Sequence, residues 1–102
     1  MAKVIAMYKT PVDAAAFDSY YFGPHMKLAK AVPGLTEYEI TRGPIMSLAG
    51  PAPYYLIAVL TFDSMASAAS ALASPQGQAV AADLDNFATG GVEILMAESE
   101  AV

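Results

Sequence analysis

Apolar positions along the chain repeat with two periods, one of strands and one of helices. From Lys3 to Tyr8, Val4, Ala6 and Tyr8 alternate with Ile5 and Met7, so both faces are apolar and the segment is predicted to be a central strand. Tyr54 to Phe62 is an all but unbroken apolar run, which predicts a second strand buried on both faces and lying beside the first. Leu35 to Arg42 instead sets Thr36, Tyr38 and Ile40 against Glu37, Glu39 and Thr41, and one wet face predicts an edge strand. Val92 to Glu98 alternates Val92, Ile94 and Met96 against Glu93, Leu95 and Ala97, giving a last strand.

The segments between them read as helices. Phe17, Tyr21, Leu28 and Val32 fall on one stripe at helical spacing. Pro24 lacks an N–H and clashes with the carbonyl four residues back, which predicts a kink or restart at Gly23 and Pro24. Asp63 or Ser64 is placed to cap a helix carrying Met65, Ala68, Ala69 and Leu72. Ser74 and Pro75 restart it as cap and first-turn residue, turning Val80, Leu84 and Phe87 inward. Gly43 to Pro53 holds three Pro and two Gly and is predicted to lack regular structure, although Ile45, Met46 and Leu48 mark it as a lid or a contact surface.

The resulting order is strand, helix, strand, strand, helices, strand. That is an α+β, ferredoxin-like split βαβ plan with a four-stranded antiparallel sheet whose first and third strands are central. With the helices on one face, the other face of two strands apolar on both sides is left bare, and a second copy of the chain is the simplest cover. A homodimer built sheet to sheet is therefore expected.

Composition sharpens the picture. The chain of 102 residues fits one domain, 1–102, and at 56% hydrophobic against 15% charged it carries more apolar surface than a single small core absorbs. Its apolar runs fall short of the ~20 residues of a membrane-spanning helix, and the opening run is too short for a secretory signal. With no Cys there is no disulfide framework, thiolate metal site or cysteine nucleophile, and a cytoplasmic setting is expected. A net charge of −5 is the wrong sign for a nucleic-acid surface. No Gly-rich phosphate loop, metal-spaced His or carboxylate cluster, or Gly-x-Ser-x-Gly elbow is present, so neither a cofactor nor a metal is expected.

His25 is the one His, and only its side chain has an ordinary pKa near neutrality, which makes it the candidate general acid or base. The blander alternative is a buried His donating a ring N–H to a carbonyl at the helix restart. Tyr21, one turn earlier, would be its neighbour on an unbroken helix and could offer its phenol to a carbonyl or enolate oxygen. Tyr8, Phe17 and Tyr54 complete the expected lining of an apolar pocket, although most of the six Tyr should be core or dimer filler. Asp83 stands within the apolar face of Val80, Leu84 and Phe87; it could orient a substrate or a His, but a carboxylate there more often pairs at the helix surface.

Several short motifs resemble EthD-like proteins of the dimeric α+β barrel superfamily. The first half of the resemblance rests on Asp18-Ser19-Tyr20-Tyr21, His25, Pro33-Gly34-Leu35 and Tyr38. The second half rests on Gly50 to Tyr55, Phe62-Asp63-Ser64, Ser74-Pro75-x-Gly77-Gln78-Ala79 and Asp83-Leu84-x-Asn86-Phe87. The chain differs at Lys27, where such proteins often carry Pro. The resemblance implies a dimer of two sheets with an apolar cavity between each sheet and its helices. It leaves the reaction open, since relatives on this fold include cyclases, lactone isomerases, lyases and cofactor-free monooxygenases. Taken with His25 and Tyr21, it suggests a small cofactor-independent enzyme that moves a proton on a compact apolar carbonyl or lactone metabolite in catabolism. The alternatives are a non-catalytic binding protein for an apolar metabolite and a structural partner of an oxidase system.

Overall fold

In the computed structural model, which describes residues 1–102 throughout, the two most apolar segments form the middle of one antiparallel sheet. The elements run β1 (Ala2–Lys9), α1 (Ala14–Tyr20), a π-helical turn (Tyr21–His25), α2 (Met26–Lys30), β2 (Glu37–Ile40), β3 (Met46–Ser47), β4 (Gly50–Pro51), β5 (Tyr54–Phe62), α3 (Met65–Ala73), α4 (Pro75–Asp83), a 3₁₀ turn (Leu84–Asn86) and β6 (Val92–Glu98). The main sheet is ordered β2-β5-β1-β6, so the first and third long strands are central and the half-polar β2 is an edge, as the alternation predicts. Helix starts follow the side chains available: Asp13 Oδ1 accepts from the Ala16 N–H, Ser64 Oγ from Ser67 and Ser74 Oγ from Gly77, each occupying an N–H that the first turn leaves unpaired. At Gly77 a side chain would collide with the Ala71 carbonyl, so glycine lets α4 fold back closely on α3.

Register decides which residues share a face. Ala6 pairs with Ala58 on one side and Ile94 on the other, and Ile40 pairs with Ala58, so two alanines occupy the middle of the helix-facing surface. On one side of that row Tyr8, Phe17, Tyr21, Leu56 and Phe87 pack together. On the other side Val4, Val32, Phe62, Ala68 and Ala71 do the same. A fully buried aromatic or aliphatic side chain contributes about 1.5–3 kcal/mol, so these two clusters hold the helices on the sheet. On the opposite face Ile5 lies between Val59 and Leu95, with Met7 beside Ile57 in the next row. Leu95 is 52% exposed, and no helix of the chain packs on that side of it.

Two segments depart from expectation. Gly43 to Pro53 is not irregular throughout but carries the hairpin β3–β4, with Met46 opposite Pro51. Prolines fit because Pro51 sits on an edge where no N–H is needed, and the ladder is closed by Ala52 N–H donating to the Ile45 carbonyl at 3.0 Å. In β5, Tyr8 pairs with Leu56 but Lys9 pairs with Tyr54, which makes Tyr55 an extra residue in a β-bulge. The bulge re-aims Tyr55 toward the helices, where its hydroxyl donates to Asp18 at 2.9 Å and its ring meets Phe17 edge-on.

Candidate active site

Above the Ala6–Ala58 pair, between the two packed clusters, lies a cavity of about 70 Å³. At about 10–15 Å³ for each water-sized group it has room for roughly five to seven. Thirteen of its fifteen lining residues are hydrophobic, and small side chains such as Ala6, Ala29 and Ala58 create the space. Ala81 on α4 and Ile94 on β6 line the cavity and are both exposed, so it opens to solvent between those elements. No lining residue comes from Gly43–Pro53, and Leu48 at the hairpin tip is fully exposed, so that segment does not cover the cavity.

His25 is buried in the cavity wall, at the end of the π-helical turn. Its Nδ1 lies 2.9 Å from Oδ2 of Asp83, which is itself only 7% exposed. Asp83 is thus not the surface residue that its type favours. The apolar face of α4 carries it under the helices, and it pairs with an imidazole 58 residues away. Its other oxygen, Oδ1, accepts from the Tyr20 hydroxyl at 2.6 Å and from Asn86 Nδ2 at 2.9 Å. Burial pushes the Asp83 carboxyl up, but the hydrogen bonds from Tyr20, Asn86 and His25 outweigh it and hold the group below its ordinary value. Burial lowers the His25 pKa, with Asp83 opposing. At neutral pH the pair is therefore a carboxylate and a neutral imidazole. Because the carboxylate only accepts, the ring proton is assigned to Nδ1 and the Nε2 lone pair is left toward the cavity.

The Tyr8 hydroxyl stands 3.4 Å from Nε2, a long and easily surrendered contact. Tyr21 packs beside the imidazole with ring centroids 5.2 Å apart, yet its hydroxyl points to Tyr38, 2.6 Å away. Burial raises the pKa of Tyr8, Tyr21 and Tyr38, so all three phenols stay protonated. Two hydroxyls joined by one hydrogen bond retain one further O–H proton, which is available to an oxygen in the cavity.

Of the residues expected at a site, the structure brings His25, Tyr21, Tyr8 and Asp83 together. Phe17 is buried beneath them, edge-on to Tyr8 and stacked on Tyr21, and does not line the cavity. Tyr54 lies on the other face of the sheet, its hydroxyl 3.4 Å from Glu93. Tyr38, Tyr20 and Asn86 join the site as well; the sequence marks them as residues of the family motifs but not as site candidates. Tyr38 was legible as an inward position of an alternating strand, whereas Tyr20 sits beside the apolar stripe and Asn86 gives no period signal at all.

A ferredoxin-like α+β fold with a buried acid–imidazole pair in the wall of an apolar cavity between sheet and helices defines the class. The chain belongs to the EthD family, whose EthD domain model matches residues 9–91. It is 42% identical, over 100% of this chain and 98% of the other, to an uncharacterized 11.0 kDa protein of the thcB-thcC intergenic region in Rhodococcus erythropolis. A crystal structure of an ethyl tert-butyl ether D (EthD) family protein from Bacillus halodurans superimposes with a TM-score of 0.89 at 32% identity, covering 98% of this chain and 99% of that one. A dimeric ferredoxin-like protein of unknown function from Jannaschia sp. shares the fold with a TM-score of 0.71 at 20% identity, covering 96% and 98%.

Proposed function

We propose that this chain is a cofactor-independent enzyme that transfers a proton on a compact, uncharged carbonyl or lactone metabolite, in a catabolic setting in the cytoplasm. The observation that carries the reading is the Asp83–His25 pair aimed into an apolar cavity whose other polar groups are phenols. A substrate carbonyl oxygen accepts from the Tyr21–Tyr38 pair while a proton on the adjacent carbon leaves to His25 Nε2. The C–H electron pair becomes the enolate, its charge falling on the oxygen held by the phenol. Asp83 stabilises the imidazolium so formed, and return of the proton at a different carbon completes an isomerisation. The lowered His25 pKa keeps the base unprotonated at neutral pH, which is the state this step requires. The lining offers no Lys or Arg to hold a carboxylate or phosphate, which favours a neutral substrate.

The apolar outer face of β1, β5 and β6 supports a homodimer packed sheet to sheet, in keeping with the relative from Jannaschia being described as dimeric. The test of the enzymatic reading is deuterium wash-in: small ketones and lactones are incubated with the protein in D₂O and their α-protons followed by NMR. Exchange by the native protein that His25→Ala abolishes is expected. Binding without exchange would make the chain a carrier of apolar metabolites, and neither binding nor exchange across the panel would refute both.

A further inference from the structure

The helix that carries His25 contains one residue too many for an α-helix. Met26 N–H is shared between the Gly23 carbonyl, three residues back, and the Tyr21 carbonyl, five back, where an α-helix would use Phe22. Pro24 lies inside this turn; it has no N–H for the Tyr20 carbonyl, and its ring would clash with that carbonyl in α geometry. Widening the turn relieves the clash and leaves every residue from Tyr20 to Met26 helical in its backbone.

The wider turn changes which side chains meet. Residues five apart on an α-helix point about 140° away from each other. Yet Tyr20 and His25, five apart, both reach Asp83, the phenol on Oδ1 at 2.6 Å and the imidazole on Oδ2 at 2.9 Å. The buried stripe says the same. Phe17, Tyr21, His25 and Ala29 are all buried and each is four residues from the last. In α geometry each such step overshoots a full turn by about 40°, carrying Ala29 about 120° round from Phe17. One extra residue in the turn takes that rotation back and keeps His25 and Ala29 on the sheet.

We infer that the π turn imposed by Pro24 is a positioning device that seats Tyr20 and His25 on the two oxygens of the single carboxylate Asp83, making Pro24 and Tyr20 determinants of the state of His25. This rests on the reading of His25 as the proton-transferring group for its purpose, but its test requires no substrate. The ionisable groups facing His25 are Asp83 from α4, Tyr8 from β1 and Tyr21 from its own helix. Both phenols stay neutral across the range in which an imidazole titrates, so Asp83 is the charge that tunes it.

The experiment is an NMR titration of the His25 ring in the native protein, Asp83→Asn, Pro24→Ala and the double variant, with Tyr20→Phe alongside. In the native background Asp83→Asn should lower the His25 pKa by about 1 to 3 units, since it removes the opposing charge. In the Pro24→Ala background the helix regains its N–H and its α register, and the same substitution should change the pKa by a few tenths at most. An equal shift in both backgrounds would overturn the inference. Tyr20→Phe leaves the helix unchanged and relieves Oδ1 of a donor, so the carboxylate grips His25 harder and its pKa should rise. No change there would refute the shared carboxylate, and the inference with it, even if Pro24→Ala does not fold.

Discussion

If the cavity above Ala6 and Ala58 is a binding site and not a packing flaw, filling it should stabilise the protein and disable it at once. Ala58→Val is the cleanest perturbation. Ala58 is 2% exposed, it lies in a central strand where a β-branched residue is at home, and its side chain points into the cavity. Two added carbons are buried at about 0.8 kcal/mol each, giving up to ~1.6 kcal/mol if the space is empty. For a domain of this length 1 kcal/mol moves the melting temperature by about 4–8 °C, so a rise of several degrees is expected by calorimetry. In a site already well packed the same carbons would force side chains off their rotamers, costing about 1–3 kcal/mol and lowering the melting temperature instead.

The second half of the prediction concerns ligand. A small ketone that binds the native protein raises its melting temperature by linkage, and in Ala58→Val that rise should vanish because the ligand's volume is taken. A lower melting temperature with an undiminished ligand response would show that the site lies elsewhere. The combination expected, higher stability with lost binding, is the behaviour of a cavity kept open at the expense of the fold.

Three further outcomes follow from the geometry. Because burial depresses the His25 pKa below 6.5, the unfolded chain binds more protons between the two values. Stability is therefore full above 6.5 and falls as the pH drops toward the native value, by at most about 1.4 kcal/mol per pH unit; a urea midpoint that held constant or rose from pH 7.5 to 5 would contradict the buried neutral imidazole. Tyr21→Phe keeps the stacking on Phe17 and removes only the 2.6 Å bond to Tyr38, so stability should fall by about 1 kcal/mol while deuterium wash-in drops on the order of 10²- to 10³-fold; unaltered wash-in would remove Tyr21 from the oxyanion role. Native protein should scatter light as about twice 10.6 kDa, and Ile5→Glu, in the middle of the outer face, should halve that mass or leave the chain insoluble; a native monomer would refute the sheet-to-sheet dimer.

What the chain disclosed in advance was whatever depends on period and local chemistry. Strands apolar on both faces became β1 and β5 at the sheet centre, Glu37 and Glu39 marked an edge, and Ser74 before Pro75 marked a helix start. The candidate site was legible only in part, because its bonds cross the fold. Asp83 stood out as a carboxylate on an apolar face, yet nothing local says that its partner is His25, 58 residues earlier, and not solvent. Tyr21 was rightly set beside His25 along the helix, but the partner of its hydroxyl, Tyr38, comes from an edge strand 17 residues on.

The residues that period alone misplaced share one cause, an extra residue that shifts the phase. A one-residue slip turns a strand over entirely and turns a helix by about 100°. In β5, Leu56, Ala58 and Phe62 face the helices, so simple alternation puts Tyr54 with them; the bulge at Tyr55 reverses the phase and leaves Tyr54 with Glu93 on the outer face. In the first helical segment, α geometry would aim Tyr20 away from His25, and the π turn brings both to Asp83. The two insertions touch, since the Tyr55 ring re-aimed by the bulge packs edge-on to Phe17, which stacks on Tyr21 at the start of the π turn. Their sequence mark is a feature that should end an element and does not. The apolar stripe continues past Pro24 to Ala29 and Val32, and a stripe that survives a proline must have absorbed it by changing pitch. Polar side chains gather where the pitch changes, because there the backbone presents to the interior residues that a regular helix or strand would have turned toward water.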